Sequence, residues 1–331
     1  MSYAKFRLTA LAFAAALLAA PVQAQTTETA KPVFNINVVN PEDLLDYNKT
    51  VVVPTAYITL LTDGRVSAVK QAGMFQRGSG SAGASASYRV QGLDKAFAQG
   101  LAKVAYEDFV AQMRQAGYKV LTYADIRDSE LIKGAARDTT TGPLGLPVSS
   151  QGGNNFVTAA PSDEQLFASS LAGGKFSEFI SAGKSKITDA TLIIPHYTFV
   201  APQSWAEGSR GYNSVSAEAN VAPGMNLLVA NAHWMGAPKV RMMSGIPGVA
   251  TKEQAINLTE KAGVLEKTAD TTPQAANVLS SVLGALTGKG SIQKSSGEYQ
   301  LSIDRDAYTV GILNGVRGFN AEVAKVAGTV K

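Results

Sequence analysis

Cysteine is absent from this 331-residue chain, histidine and tryptophan occur twice each, and only the first residues hold a sustained apolar run. Without cysteine there are no disulfides, thiolate metal sites, thiol nucleophiles or lipid-bearing cysteine, so the fold must stand on its packed core alone. Histidine-rich metal motifs are excluded by the same scarcity. Clustered lysine and arginine are missing too: the formal charge is +4, and loss of Lys5 and Arg7 with a leader would take it to +2. A scattered, nearly balanced charge gives no footprint for nucleic acid or anionic lipid.

What is present begins with an address. Residues MSYAKFRLTALAFAAALLAAPVQA combine the basic Lys5 and Arg7, an apolar run from Leu8 to Ala20, and Val22, Gln23 and Ala24 before Gln25. This order of basic, apolar and small-residue segments is that of a secretory signal peptide, with cleavage expected after Ala24. The run is shorter than the roughly 20 residues a membrane-spanning helix needs, and no later stretch approaches one. The expected location is therefore periplasmic or secreted, with no transmembrane span in the mature chain.

The longest organised stretch runs from Ser85 to Ile126: a strand, a helix over Leu93–Ala116, a left-handed stop at Gly117 and a strand over Tyr118–Tyr123. Leu93, Phe97, Leu101, Val104, Ala105, Phe109 and Met113 supply its apolar stripe. Before it, Val33–Val39 alternates apolar residues with Asn35 and Asn37, as a short strand does. Tyr57–Lys70 reads as a hairpin around Asp63 and Gly64, and the Gly/Ser/Ala-rich MFQRGSGSAGA as a loop. After it come a helix over Asp125–Ala136, and a structureless segment at residues 137–155 marked by prolines and glycines. A helix entered at Ser162 and a short one over Phe176–Ala182 follow.

The latter half is richer in strands. Ala190–Val200 is apolar and β-branched, with Pro195 arguing for a bulge or an edge. Ser214–Val221 and Met225–Met235 fit an antiparallel hairpin turned at Pro223 and Gly224, with Val240–Met243 extending it. A core helix is expected after Thr272 and Pro273, then a strand over Glu298–Ile303. A closing helix capped by Asp304 or Asp306 carries Tyr308, Ile312, Val316, Phe319, Val323 and Val326 at helical spacing. The expected class is α/β (α+β): a mixed sheet with helices packed on it and antiparallel strands in the second half. Residues 25–136 and 156–331 form two halves of one sheet, joined by a flexible loop at 137–155.

The chemistry-bearing candidates are His196, before Tyr197, and His233, before Trp234, each on an expected strand. Were those strands neighbours in register, two imidazoles would meet and offer a weak metal or ligand site needing a third ligand from Asp or Glu. Structural histidines are the commoner explanation, and Trp205, Trp234 and Tyr197 fit core or rim better than a ligand cage. Gly183–Lys184–Ser185 lacks the strand and spacing of a phosphate loop. Ser181 with Lys184, and Ser291 with Lys294, lack the companion motifs of serine acyl-transferases. Asp304 and Asp306 read as helix caps. No catalytic residue and no cofactor is expected.

The helix Leu93–Ala116 with its following strand, the strand Ala190–Val200, the hairpin Ser214–Met235 and the closing helix resemble, in their order, the envelope α/β domains of the curli-secretion lipoprotein family and the N-terminal domain of TolB. The resemblance implies an envelope domain and transfers no functional residue. The missing lipid-attachment cysteine departs from the secretion lipoproteins, so anchoring and pore formation do not carry over. The expected function is a non-catalytic envelope protein that binds or scaffolds another envelope component, such as an envelope protein. The alternative is a periplasmic hydrolase, or a small-ligand or metal binder whose site is assembled from distant residues. An outer-membrane barrel is disfavoured by the long helical stripes and the polar end AGTVK.

Overall fold

The computed structural model describes residues 32–45, 47–71, 81–138, 142–167, 189–210, 214–235, 247–252, 255–271, 291–294 and 296–330. In chain order the strands are β1 (Ile36–Val39), β2 (Thr50–Val53), β3 (Tyr57–Gln71), β4 (Ser81–Gln91), β5 (Lys119–Thr122), β6 (Val148–Gln151), β7 (Asn154–Ala159) and β8 (Thr191–Val200). They continue as β9 (Gln203–Arg210), β10 (Ser214–Ala222), β11 (Met225–Met235), β12 (Gly248–Thr251), β13 (Ile256–Thr259), β14 (Gly263–Asp270), β15 (Ser291–Lys294) and β16 (Gly297–Ile303). The helices are α1 (Lys95–Gln115), the single turns α2 (Tyr123–Ile126) and α3 (Glu130–Lys133), and α4 (Arg305–Thr329).

Among the described residues a 13-stranded mixed sheet runs β1-β12-β11-β8-β3-β4-β16-β14. Beside this path, β13 pairs with β11, β2 links β8 to β5, and β7 links β3 to β6, so both halves of the chain share one sheet. No described helix is long and apolar enough to cross a membrane. Alternation along β8 sorts the two faces: Ile193, Tyr197 and Phe199 enter the core with Leu101, Phe109, Ile312 and Phe319 of α1 and α4. Leu192 and Ile194 point the other way, where they meet Ile126 and Ile132 of the two short helices.

α1 begins at Asp94, whose carboxylate accepts from the Phe97 N–H at 2.7 Å. It ends as expected: Gly117 has φ +90, and Tyr118 N–H reaches the Met113 carbonyl at 3.2 Å. The stripe differs in detail. Ala98, Leu101, Ala102, Ala105, Phe109 and Met113 are buried, whereas Val104 is exposed. Leu93 and Phe97 sit at the rim, Phe97 under the Arg305 guanidinium at 4.8 Å. The flanking strands β4 and β5 do not form a parallel crossover. β4 is antiparallel to β3, while β3, β8, β2 and β5 are successively parallel.

Several expectations are corrected. The hairpin at Asp63–Gly64 is absent, because β3 runs straight through it. Asp63 sits instead at a bulge where β3 meets β7, accepting from Asn155 Nδ2 at 2.7 Å. Gly64 is needed for close approach: a Cβ there would lie 2.8 Å from the Tyr88 ring and closer still to the Asn154 amide. Part of the expected Gly/Ser/Ala loop, Ser81–Ala84, is strand, and residues 74–80 lie outside the described residues. The helix expected over Asp125–Ala136 is broken into α2 and α3. Residues 137–155 are not a continuous loop, since β6 and β7 form a hairpin through Gln151↔Asn154.

Pro195 lies in a central strand, in the interval where β8 exchanges β2 for β3 as its parallel neighbour. That interval removes a ladder partner and accommodates the missing N–H. β10 and β11 do not pair with each other. At Pro223–Gly224 the chain leaves a second, three-stranded sheet, β15-β10-β9, and enters the large one. One of the four segments behind the family resemblance is therefore built differently. The helix expected after Ser162 is a 3-10 turn over Asp163–Gln165 as far as it is described. The helices expected at Phe176–Ala182 and after Thr272, and the strand Val240–Met243, lie outside the described residues.

The second sheet lies on the face of β3 and β4 opposite the long helices, where Ala82, Ala84 and Ala86 meet Ala217 and Ala219. Small side chains on both surfaces let the two sheets approach closely. On its outer surface Glu207 stands directly opposite Glu218, both exposed. Like charges so placed destabilise a strand pair. Glu218→Lys is accordingly expected to raise stability by about 0.5–1 kcal/mol, read as an increased urea midpoint at unchanged m-value.

Candidate functional site

Strand alternation that sends Tyr197 and Phe199 into the helical core leaves His196 and Thr198 on the opposite face. Cross-strand register extends this face into rows. One runs Tyr57, His196, Asn231, Ala250, Asn37 across β3, β8, β11, β12 and β1. The next contains Thr158, Thr59 and Thr198 across β7, β3 and β8. Thr158 and Thr59 hydroxyls are 2.8 Å apart, and Thr59 Oγ1 lies 2.9 Å from His196 Nε2. The Tyr57 ring meets the imidazole edge-on at 6.4 Å between centroids. Two buried hydroxyls and a half-buried imidazole are thereby satisfied by one another, with His196 at the solvent-side end.

His233 is on the same face, two residues beyond Asn231, which stands opposite His196. The two histidines are thus diagonal neighbours on adjacent antiparallel strands, a separation of about 7–8 Å between backbones that long side chains span. Burial, with a smaller contribution from the His233 charge, lowers the His196 pKa to about 4. His233 is also lowered by burial, against a hydrogen bond to the Pro247 carbonyl that favours its protonated form. Both imidazoles are neutral near pH 7, the form that binds metals. Among the described residues, however, no group of three His, Asp or Glu side chains is placed around an ion, so the required carboxylate partner is not supplied there.

The other sequence candidates disperse. Tyr197 is in the core, its hydroxyl donating to Asn320 Oδ1 at 2.5 Å, while Asn320 Nδ2 donates to Asp108 at 2.7 Å. This chain ties the sheet to α4 and α1, and burial drives the Tyr197 pKa well upward. Trp234 is buried and donates to the Asn40 carbonyl, whereas Trp205 is exposed on the second sheet, so no aromatic cage forms. Asp304 caps α4 by accepting from Asp306 and Ala307 N–H groups, at 3.0 and 3.2 Å. Ser291 and Lys294 belong to β15. Ser181 and Gly183–Ser185 lie outside the described residues.

The sequence reading missed a groove. It has a volume of about 840 Å³ and opens along β1, β12 and the start of β13, lined by Asn35, Asn37, Thr251, Lys252, Ile256 and Asn257 among others. Its Asn37–Ala250 wall belongs to the row that contains Asn231 and His196. Asn35 and Asn37 are exposed, with no side-chain hydrogen bond to any described residue. Asn257 Oδ1 accepts from Gln203 Nε2 at 3.1 Å, leaving its own amide donors available. Lys252 is exposed and makes no ion pair with a described residue, and the described residues that line the groove include no acidic side chain. The alternation of Asn35 and Asn37 was visible in the sequence as an outward-facing strand surface. Lys252 and Asn257 join it only through the sheet. Comparisons with models of protein families, with curated proteins and with solved structures found no match to this chain.

Proposed function

We propose that this chain is an exported, non-catalytic protein of the cell envelope that binds another envelope component through the β1–β12–β13 groove. The observation that carries this reading is an open polar groove in which the side chains of Asn35, Asn37 and Lys252 make no hydrogen bond or ion pair with any described residue. A leader-like N-terminus and the resemblance in element order to envelope α/β domains support the compartment. The test places a photo-crosslinking residue at Asn37, or at Gln91 as a control, in cells fractionated after labelling. A processed protein in the periplasmic or secreted fraction, with an adduct from position 37 alone, is expected. An unprocessed cytoplasmic protein, or turnover of a hydrolase substrate panel lost in His196→Ala, would overturn it.

A second reading, a metal or small-ligand binder at the histidine pair, is favoured by the common face of His196 and His233. Stoichiometric zinc, copper or iron in the purified protein, lost when both are replaced by alanine, would establish that reading.

A further inference from the structure

We infer that Asn48 is an attachment site for an N-linked glycan, transferred after export from a lipid-carried oligosaccharide. The inference goes beyond the groove and rests only on the export proposed above. Asn48, Lys49 and Thr50 match the acceptor pattern of asparagine and threonine separated by one residue other than proline, which marks a surface loop of an exported chain. The structure supplies that loop. Tyr47–Thr50 is a tight turn closed by the Thr50 N–H on the Tyr47 carbonyl at 2.9 Å, and its central residues Asn48 and Lys49 have φ 50 and 57. Two successive left-handed residues mark a type I′ turn, whose first central position favours asparagine. Asn48 is exposed at this tip, and neither its amide nor the Thr50 hydroxyl makes a hydrogen bond with a described residue. A bulky, solvated glycan there displaces no packed side chain.

The sequence holds a second match, at Asn257, Leu258 and Thr259, and the fold separates the two. Asn257 lies in β13 opposite Asn226 of β11, with its Oδ1 accepting from Gln203 Nε2 at 3.1 Å. Leu258 is buried, and the Thr259 hydroxyl accepts from the Lys261 N–H at 3.2 Å. A paired strand with a buried centre resists being bent into a transferase site, whereas Asn48 already stands in a chain reversal. In the sequence Asp46, outside the described residues, precedes Asn48 by two, where Asn257 has Ala255. An acidic flank offers a cationic side chain of the transferase a charge-assisted contact. In the transfer, Asn48 Nδ2 bonds to the anomeric carbon of the sugar as that carbon's bond to a polyprenyl pyrophosphate breaks. One amide proton passes to a base of the transferase, and the lipid pyrophosphate leaves with the electron pair. Nothing is oxidised or reduced.

The test produces the full chain, leader included, in paired cells with and without an asparagine oligosaccharyltransferase and its lipid-linked donor. The exported protein is read by mass spectrometry, intact and as tryptic peptides. A single glycan is expected only where the transferase is present, on the peptide ending at Lys49, with fragmentation placing it on Asn48. Asn48→Asp, which keeps a residue tolerant of the left-handed turn, is expected to lose the glycan completely, as is Thr50→Ala. Thr50→Ser is expected to retain it, and Asn257→Gln to leave it unchanged, with far-ultraviolet spectra like that of the wild type throughout. An exported, processed protein with a bare Asn48, a glycan on Asn257, or a glycan that survives Asn48→Asp or Thr50→Ala would overturn the inference and leave the proposed function standing. An unprocessed cytoplasmic protein would instead overturn the export on which both rest.

Discussion

Leu101→Asp is expected to leave the protein unfolded at 25 °C. Leu101 is 4 % exposed in the middle of α1, within the cluster that joins both long helices to the large sheet. Truncating such a leucine to alanine alone costs about 2–5 kcal/mol. A carboxylate in its place would be buried without a cation, adding several kcal/mol or forcing the helix off the sheet. Together these match the whole stability of an ordinary domain, about 5–15 kcal/mol. The check is circular dichroism and a thermal melt of the purified variant. A cooperative melt at the wild-type temperature would show that α1 does not organise the core. Phe97→Asp, equivalent to it by sequence spacing alone, is expected to fold with a smaller loss. Phe97 is only partly buried, and the Arg305 guanidinium over its ring would face the new carboxylate.

Acidification from pH 6.5 to 4 is expected to remove about 2–3 kcal/mol of stability through His196. Its folded pKa, about 4, lies below the ordinary 6.5, so between those values the unfolded chain holds a proton that the folded chain refuses. Stability rises with pH wherever the unfolded state binds more protons. The contribution is therefore complete above pH 6.5 and falls progressively as pH drops toward 4. A separation of this size corresponds to on the order of 3 kcal/mol, reduced because His196 keeps part of its surface in water. His233, lowered by burial as well, acts in the same direction.

Carboxylates titrate in a separate window. Asp94, Asp125 and Asp163 are held below their ordinary 3.8 by hydrogen bonds from the Phe97 N–H, Thr122 and Lys95, so their contribution is lost only at still lower pH. Urea denaturation of wild type and His196→Gln at pH 7 and 4.5 separates the terms. The variant should be less sensitive to acid, since glutamine can hold the Thr59 hydrogen bond without titrating. Equal pH sensitivity in the two proteins would remove His196 as the acid-labile group.

Both long helices were legible because their determinants are local. A cap at Asp94 or Asp304, apolar residues three and four apart, and a glycine stop at 117 act within one or two turns. β8 was legible as a dense apolar, β-branched run. Asp63–Gly64 misled because its turn chemistry is local, whereas pairing with β4 and β7 on either side holds β3 extended through it. Pro223–Gly224 misled in the same way: the break is real, but the strands flanking it join different sheets.

The candidate site shows the same division more sharply. The sequence by itself determined that the core must hold without disulfides, where its two long helices begin and where the first of them ends, and that His196 and His233 occupy strands. Which residues meet was decided by the tertiary structure. Antiparallel pairing of β8 with β11 put the two imidazoles on one face, and pairing of β1 with β12 brought Asn35 and Asn37 beside Lys252. The physical reason is that a strand's period of two settles which residues share a face, whereas its neighbours and register depend on contacts distant in the chain.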